Sequence, residues 1–177
     1  MITQDLEDKF NQHINKEIYS SYLYLSMAAW ADHQGLRGFS HWMRVQAMEE
    51  LTHVSRFFDF LTDRDGRARL SAIAEPPQDW ANATALMEDT YQHELEVSKG
   101  INELVSLCRE HSDHAAGAFL DWFVKEQVEE EANVKDVLDR LRIVKGEGQG
   151  LLMIDQELGA RALPSYDPTL GWIGNTR

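Results

Sequence analysis

Much of what would tie a chain to the cell exterior or to a membrane is missing here. Cys108 is the single cysteine among 177 residues, so no intramolecular disulfide can form and thiol-based zinc motifs are excluded. There are only four prolines and no low-complexity tract, which predicts an ordered chain. No apolar run approaches the roughly 20 residues needed to span a bilayer. Residues 1–15 carry Asp5, Glu7, Asp8 and Lys9 among few apolar side chains, unlike a secretory leader. A cytoplasmic location without membrane attachment is the expectation. Basic residues are scarce too: 17 Lys and Arg face 30 Asp and Glu, a formal net charge of −13. That balance disfavours nucleic acid and anionic membranes as partners and suits cations. An acidic surface that merely confers solubility is the plainer reading.

What is present is helical periodicity. The 43% apolar content is enough for one domain with a substantial core. Four long segments carry stripes in a four-three alternation: residues 5–33, 39–65, 83–110 and 114–144. Gly35 and Gly38 bracket a short connection after the first, and His111, Ser112 and Asp113 form another before the fourth. The stretch 67–81 holds Pro76-Pro77, which no helix interior accepts, and is long enough to cross the length of a bundle. Asn82 is a candidate N-cap of the third helix. A short fifth helix is expected over 151–160 and irregular chain over 161–177. These elements predict an all-α, up-down-down-up four-helix bundle over residues 1–160, with one long crossover.

Each stripe is interrupted at mid-length by polar residues. Glu17 breaks the first, Glu50 and His53 the second, Glu94 the third, Gln127 and Glu130 the fourth. Residues three apart on a helix share a face, so Glu50 and His53 point inward together, as do Gln127 and Glu130. The interval from Glu17 to Glu50 equals that from Glu94 to Gln127. All six would meet at one buried level. Four carboxylates in a dry layer repel or take up protons unless cations neutralise them. With one imidazole they suit a pair of divalent ions bridged by Glu50 or Glu130, and the oxygen-rich set favours iron or manganese over structural zinc. A proton-sharing network without metal is the alternative. Glu49, Glu126 and Glu129 flank this set and offer a third cation site near Glu130, or else a solvated acidic face.

The stretches Lys16-Glu17-Ile18-Tyr19-Ser20-Ser21, Glu49-Glu50-Leu51-Thr52-His53, Glu126-Gln127-Val128-Glu129-Glu130-Glu131 and Ile154-Asp155-Gln156-Glu157-Leu158 resemble the motifs of bacterial non-haem ferritins, over about residues 5–160. The resemblance implies a ferritin-like fold in which Glu17, Glu50 and His53 hold a first iron. Glu94, Glu130 and bridging Glu50 would hold a second, with Gln127 beside the pair. Glu49, Glu126, Glu129 and Glu130 match an additional iron site. It also implies a near-site tyrosine, Tyr24, able to donate an electron, with Trp122 in support; core packing is the alternative for both.

Haem-binding relatives resemble the chain less well, because Gln127 and Glu130 stand where they carry a second ExxH and position 52 is threonine. No haem is expected, and one cysteine excludes a rubredoxin-like iron domain. His13, His33, His41, His93, His111 and His114 are expected to be structural or solvated, and Cys108 a core filler. By resemblance the chain is an iron-storage ferritin with ferroxidase activity. It would oxidise Fe(II) with O2 or H2O2 and keep the product as hydrated ferric oxide inside a homo-oligomeric shell of 24 subunits. A di-iron oxidase or peroxidase without storage, and a non-redox divalent-metal buffer, are the alternatives. The tail beyond Arg161, with Trp172 and Ile173 as apolar anchors, departs from the family pattern and is expected to pack on the shell or on a partner.

Overall fold

A computed structural model describes residues 1–162, so the expectations for the tail beyond Ala162 lie outside the described residues. Five helices follow in order: α1 Gln4–His33, α2 Arg37–Asp63, α3 Ala83–Glu110, α4 His114–Ile143 and α5 Gly148–Leu158. No strand occurs among the described residues, and none of their helices is long and apolar enough to cross a membrane.

The inward stripes of α1 and α4 are buried along their whole length. On α3 the buried face is rotated from the expected one. Leu86, Thr90, Val97 and Leu104 lie inside, while Tyr91, Ser98 and Val105 are only half-buried. Glu94 and Ile101 belong to both faces, so the rotation leaves the polar position unchanged.

α1 pairs antiparallel with α2, and α3 with α4. The crossover between the pairs is laid along α1 by two asparagines one turn apart. Asn11 accepts from Arg69 N at 2.5 Å and donates to Arg67 O at 3.0 Å. Asn15 accepts from Ser71 N at 3.2 Å and donates to Ala72 O at 3.3 Å. Further along, Ser26 donates to Pro77 O at 2.5 Å, and Trp80 meets Trp30 edge-on at 6.0 Å. These contacts advance along α1 in its own direction, so α3 starts where α1 ends and runs parallel to α2. The up-down-down-up order follows.

One glycine behaves differently from expectation. Gly38 is not in the connection but in the first turn of α2, because α5 lies directly on it: a Cβ there would stand 1.5 Å from Asp155 O. Asp155 Oδ1 accepts from the N–H groups of Gly38 and Phe39 at 2.8 and 3.0 Å, satisfying donors that a helix start leaves free. At the far end of α2 the left-handed residue is Asp65, with φ 56°, rather than Gly66. Gly66 N closes the helix on Leu61 O at 2.7 Å. The fifth helix begins at Gly148, earlier than the apolar run suggested.

The apolar core is in two parts. One unites Tyr24, Met27, Phe39, Met43, Met87, Leu138 and Ile154. The other unites Phe10, Ile14, Phe57, Ile101, Leu120 and Phe123. Between them lies a buried polar layer containing Glu17, Gln46, Glu50, His53, Glu94, Gln127 and Glu130.

Asn82 caps α3, its side chain accepting from Ala85 N. Asp113 caps α4 by accepting from Ala116 N at 3.0 Å, and Arg64 grips both its oxygens at 3.1 and 2.8 Å. That fork ties the end of α2 to the start of α4, and the Arg64 hydrogen bonds hold the Asp113 carboxyl below its usual range. A carboxyl held low stabilises the fold above its unfolded value, about 3.9, and this stabilisation fades as pH falls through the lower folded value. Asp113→Asn, which keeps the cap but not the charge, should therefore show a deficit that is constant above about pH 5 and closes as pH falls through the lower folded value. Asp113→Ala should lose a further ~1 kcal/mol for the missing cap. Thermal unfolding across pH checks both, and a deficit that persists in acid would remove the ion pair from the account.

Candidate metal centre

Each inward polar residue sits where its stripe crosses the gap between the two half-cores. Glu17, Glu50, His53, Glu94, Gln127 and Glu130 are all brought there, none more than 6% exposed. Glu17, Glu50 and His53 form a tight group whose ligand atoms lie within 4.8 Å of one another. His53 Nδ1 is 3.2 Å from Glu50 Oε2 and 3.4 Å from Glu17 Oε2.

Charge is shared unevenly within this group. Burial alone would raise the Glu17 carboxyl, but His13 and His53 overcome it and hold that group well below the usual range. Burial and the Glu17 charge push Glu50 well above it, against the pull of His53. Burial would lower His53, yet the Glu17 and Glu50 carboxylates beside it raise it strongly. Burial thus favours a proton on Glu50, while the histidines favour charge on Glu17. The Glu17 oxygens have only poorly aligned contacts and no well-directed hydrogen bond, which suits a cation as the missing partner.

Across the layer, the Tyr24 hydroxyl donates to Glu94 Oε1 in a short hydrogen bond, and Gln127 Nε2 donates to Glu94 Oε2 at 3.0 Å. Burial, then the Glu130 charge, push Glu94 up to about 7. Burial and the Glu94 charge raise Tyr24 well above 10, so it stays a donor. Glu130 Oε2 accepts from Gln46 Nε2 at 2.6 Å.

The flanking acids are graded outward: Glu49 and Glu126 are half-buried and Glu129 is exposed. Burial pushes Glu49 up to about 7; Arg161 opposes this, while Glu130 and Glu126 add to it. Glu126 is raised by burial and by Glu130 and Glu129, against His53 and Arg56. Trp122 packs edge-on to His53 at 5.5 Å, with the Arg56 guanidinium 3.8 Å above its ring.

Three residues of the site escape the sequence patterns. His13, expected to be structural or solvated, is buried with Nε2 2.7 Å from Glu17 Oε1. The signal was its position one turn before Glu17. Gln46 lay in the inward stripe of α2 without a role. Arg161 reaches Gln46 and Glu49 from beyond α5, a contact that no local pattern announces.

Residues 7–144 match the family model of Ferritin, a ferritin-like domain. The chain is 38% identical over 159 residues to a probable bacterial non-heme ferritin-like protein of Haemophilus influenzae, covering 90% of this chain and 96% of that one. A bacterial non-heme ferritin of Escherichia coli is 36% identical over 158 residues, covering 89% and 96%. Among solved structures, an open pore ferritin from the hyperthermophilic archaeon Archaeoglobus fulgidus superposes with a TM-score of 0.90 at 46% identity, covering 92% and 100%.

Protons held on this layer must leave when cations arrive. Binding of a redox-silent divalent ion near pH 7 should release protons, and affinity should fall as pH drops below about 7, where Glu94 becomes protonated. Calorimetry in buffers of different ionisation enthalpy measures the release. An absence of proton release at pH 6 would mean the carboxylates are already ionised without metal.

Proposed function

The chain belongs to the ferritin-like family, and from that premise we propose that it is an iron-storage ferritin that oxidises Fe(II) at a paired carboxylate site. The observation that carries the reading is the buried Glu17–Glu50–His53 group facing Glu94 and Glu130 in a layer with too few donors for its acids. Iron is the substrate. One Fe(II) is held by Glu17, Glu50 and His53, and a second by Glu94, Glu130 and shared Glu50, with Gln127 alongside. Two ions give one electron each, and O2 takes both with two protons to become H2O2; H2O2 is the alternative oxidant.

The protein's part is to bind, orient and neutralise. His13 on Glu17 and Gln46 on Glu130 fix the outer sides of two ligands, which limits the ways the carboxylates can turn. Tyr24, whose hydroxyl donates to Glu94, orients that ligand. Glu49, Glu126, Glu129 and Glu130 form a third cation site on the outward path from the pair. The ferric product leaves for the cavity of a homo-oligomeric shell of 24 subunits and accumulates there as hydrated ferric oxide.

Excess Fe(II) in air, followed by size-exclusion chromatography of protein and iron together, tests this directly. Iron co-eluting with a large shell, far beyond a few ions per chain, is the expected outcome. Two or three ions per chain would instead favour an oxidase without storage, and no oxidation at all a metal buffer. Glu50→Ala and His53→Ala each remove a direct ligand and should slow oxidation by at least about a hundredfold, since losing even an outer supporting group costs about 10–100-fold.

A further inference from the structure

Arg161 lies beyond the end of α5, yet its side chain reaches the edge of the polar layer. One arm of the guanidinium donates to Gln46 Oε1 in a short hydrogen bond and the other to Glu49 Oε2 at 2.7 Å. The indole of Trp42, itself buried, lies beside it, with its ring centre 5.1 Å from Cζ. The main chain is pinned as well, since Arg161 O accepts from His41 Nε2 at 2.7 Å. One turn before the end of α5, Asp155 clamps the helix to the start of α2. Gly159 faces Gly38 across the same contact. The fifth helix therefore delivers one positive charge to a fixed place, three helical turns along α2 from where it docks.

That place is where a cation would stand to use Glu49. The groups that favour ionised Glu49 are Arg161 first and His53 second, against burial, Glu130 and Glu126. A guanidinium forking onto an acid and an amide is a strong, directional partner. We propose that Arg161 is a tethered cation that holds the Glu49 site closed in the metal-free chain and yields it when a divalent ion binds there. The proposal rests on Glu49 being a third-site ligand.

Its reach extends one residue further. Gln46, held by Arg161 at its oxygen, donates through its nitrogen to Glu130. Withdrawal of Arg161 frees Gln46 and loosens its hold on Glu130, which both the pair and the third site use. Arg161 is thus a positioning residue for both sites. It makes the third ion the weakest of the set, a station that fills last and empties first.

Anaerobic titration with Co(II), read by calorimetry and visible absorption on the assembled protein, tests this without any turnover. The native chain should bind two ions tightly and one weakly, and Glu49→Gln should lose the weak one. Arg161→Gln keeps polarity but not charge; it should tighten the weak site on the order of tenfold, about 1.4 kcal/mol. Should Arg161→Gln fail to assemble, Arg161→Lys serves, because an ammonium cannot fork onto Gln46 and Glu49 together. It should tighten the site about threefold. An unchanged or weaker third site in whichever variant assembles, while Glu49→Gln loses that ion, overturns the proposal and leaves the third-site reading standing. Full stoichiometry in Glu49→Gln overturns both.

Discussion

Repulsion among carboxylates confined to a dry layer is the constraint to which the rest of this structure answers. Each ion removed from water costs several kcal/mol even after relaxation, against a net stability of only about 5–15 kcal/mol for a typical domain. Four buried acids cannot all be ionised here without partners. The surrounding donors are the response: His13 and His53 on Glu17, Tyr24 and Gln127 on Glu94, Gln46 on Glu130. They occupy both oxygens of Glu94 and face both of Glu17, while Gln46 takes one oxygen of Glu130. His53 is the one donor of this set pushed toward the charged form, and four acids beside so few cationic groups make a layer suited to divalent ions.

The supports around the layer act at long range. The crossover follows α1 along Asn11, Asn15 and Ser26, which sets α3 parallel to α2 and lets Glu94 face Glu17. Asp155 caps α2 from the opposite end of the chain and fixes where Arg161 arrives. Local helix propensity supplies the rods. These few tertiary hydrogen bonds set their register, and register decides whether acids on different rods meet.

That division explains what could be read in the sequence. Stripes in a four-three alternation gave away the four rods and the six polar interruptions, because burial imposes a period that residue order preserves. The rotation of α3 was harder to see, since Tyr91, Ser98 and Val105 keep the same period one step away from the buried face. Gly38 looked like a connector because the pattern holds no trace of a helix lying on its Cα. Arg161 is separated from Glu49 by nearly the whole bundle in sequence, and a single cation in a polar stretch has no period to betray it. His13 alone was within reach, one turn from Glu17.

The division of the apolar core has its own consequence for motion. Two half-cores that touch only through a charged layer are two cooperative units with a seam between them, each able to hold its amides against exchange by its own packing. The strength of the seam is set by its ions rather than by shape. With cations bound as proposed, carboxylates from all four long helices would share them and the two units would open together. Without them, a few hydrogen bonds would join the units, and amides in the middle turns of the rods would exchange apart from those at their ends. On that reading the cargo would also be the keystone, and the molecule would be least rigid when ready to load.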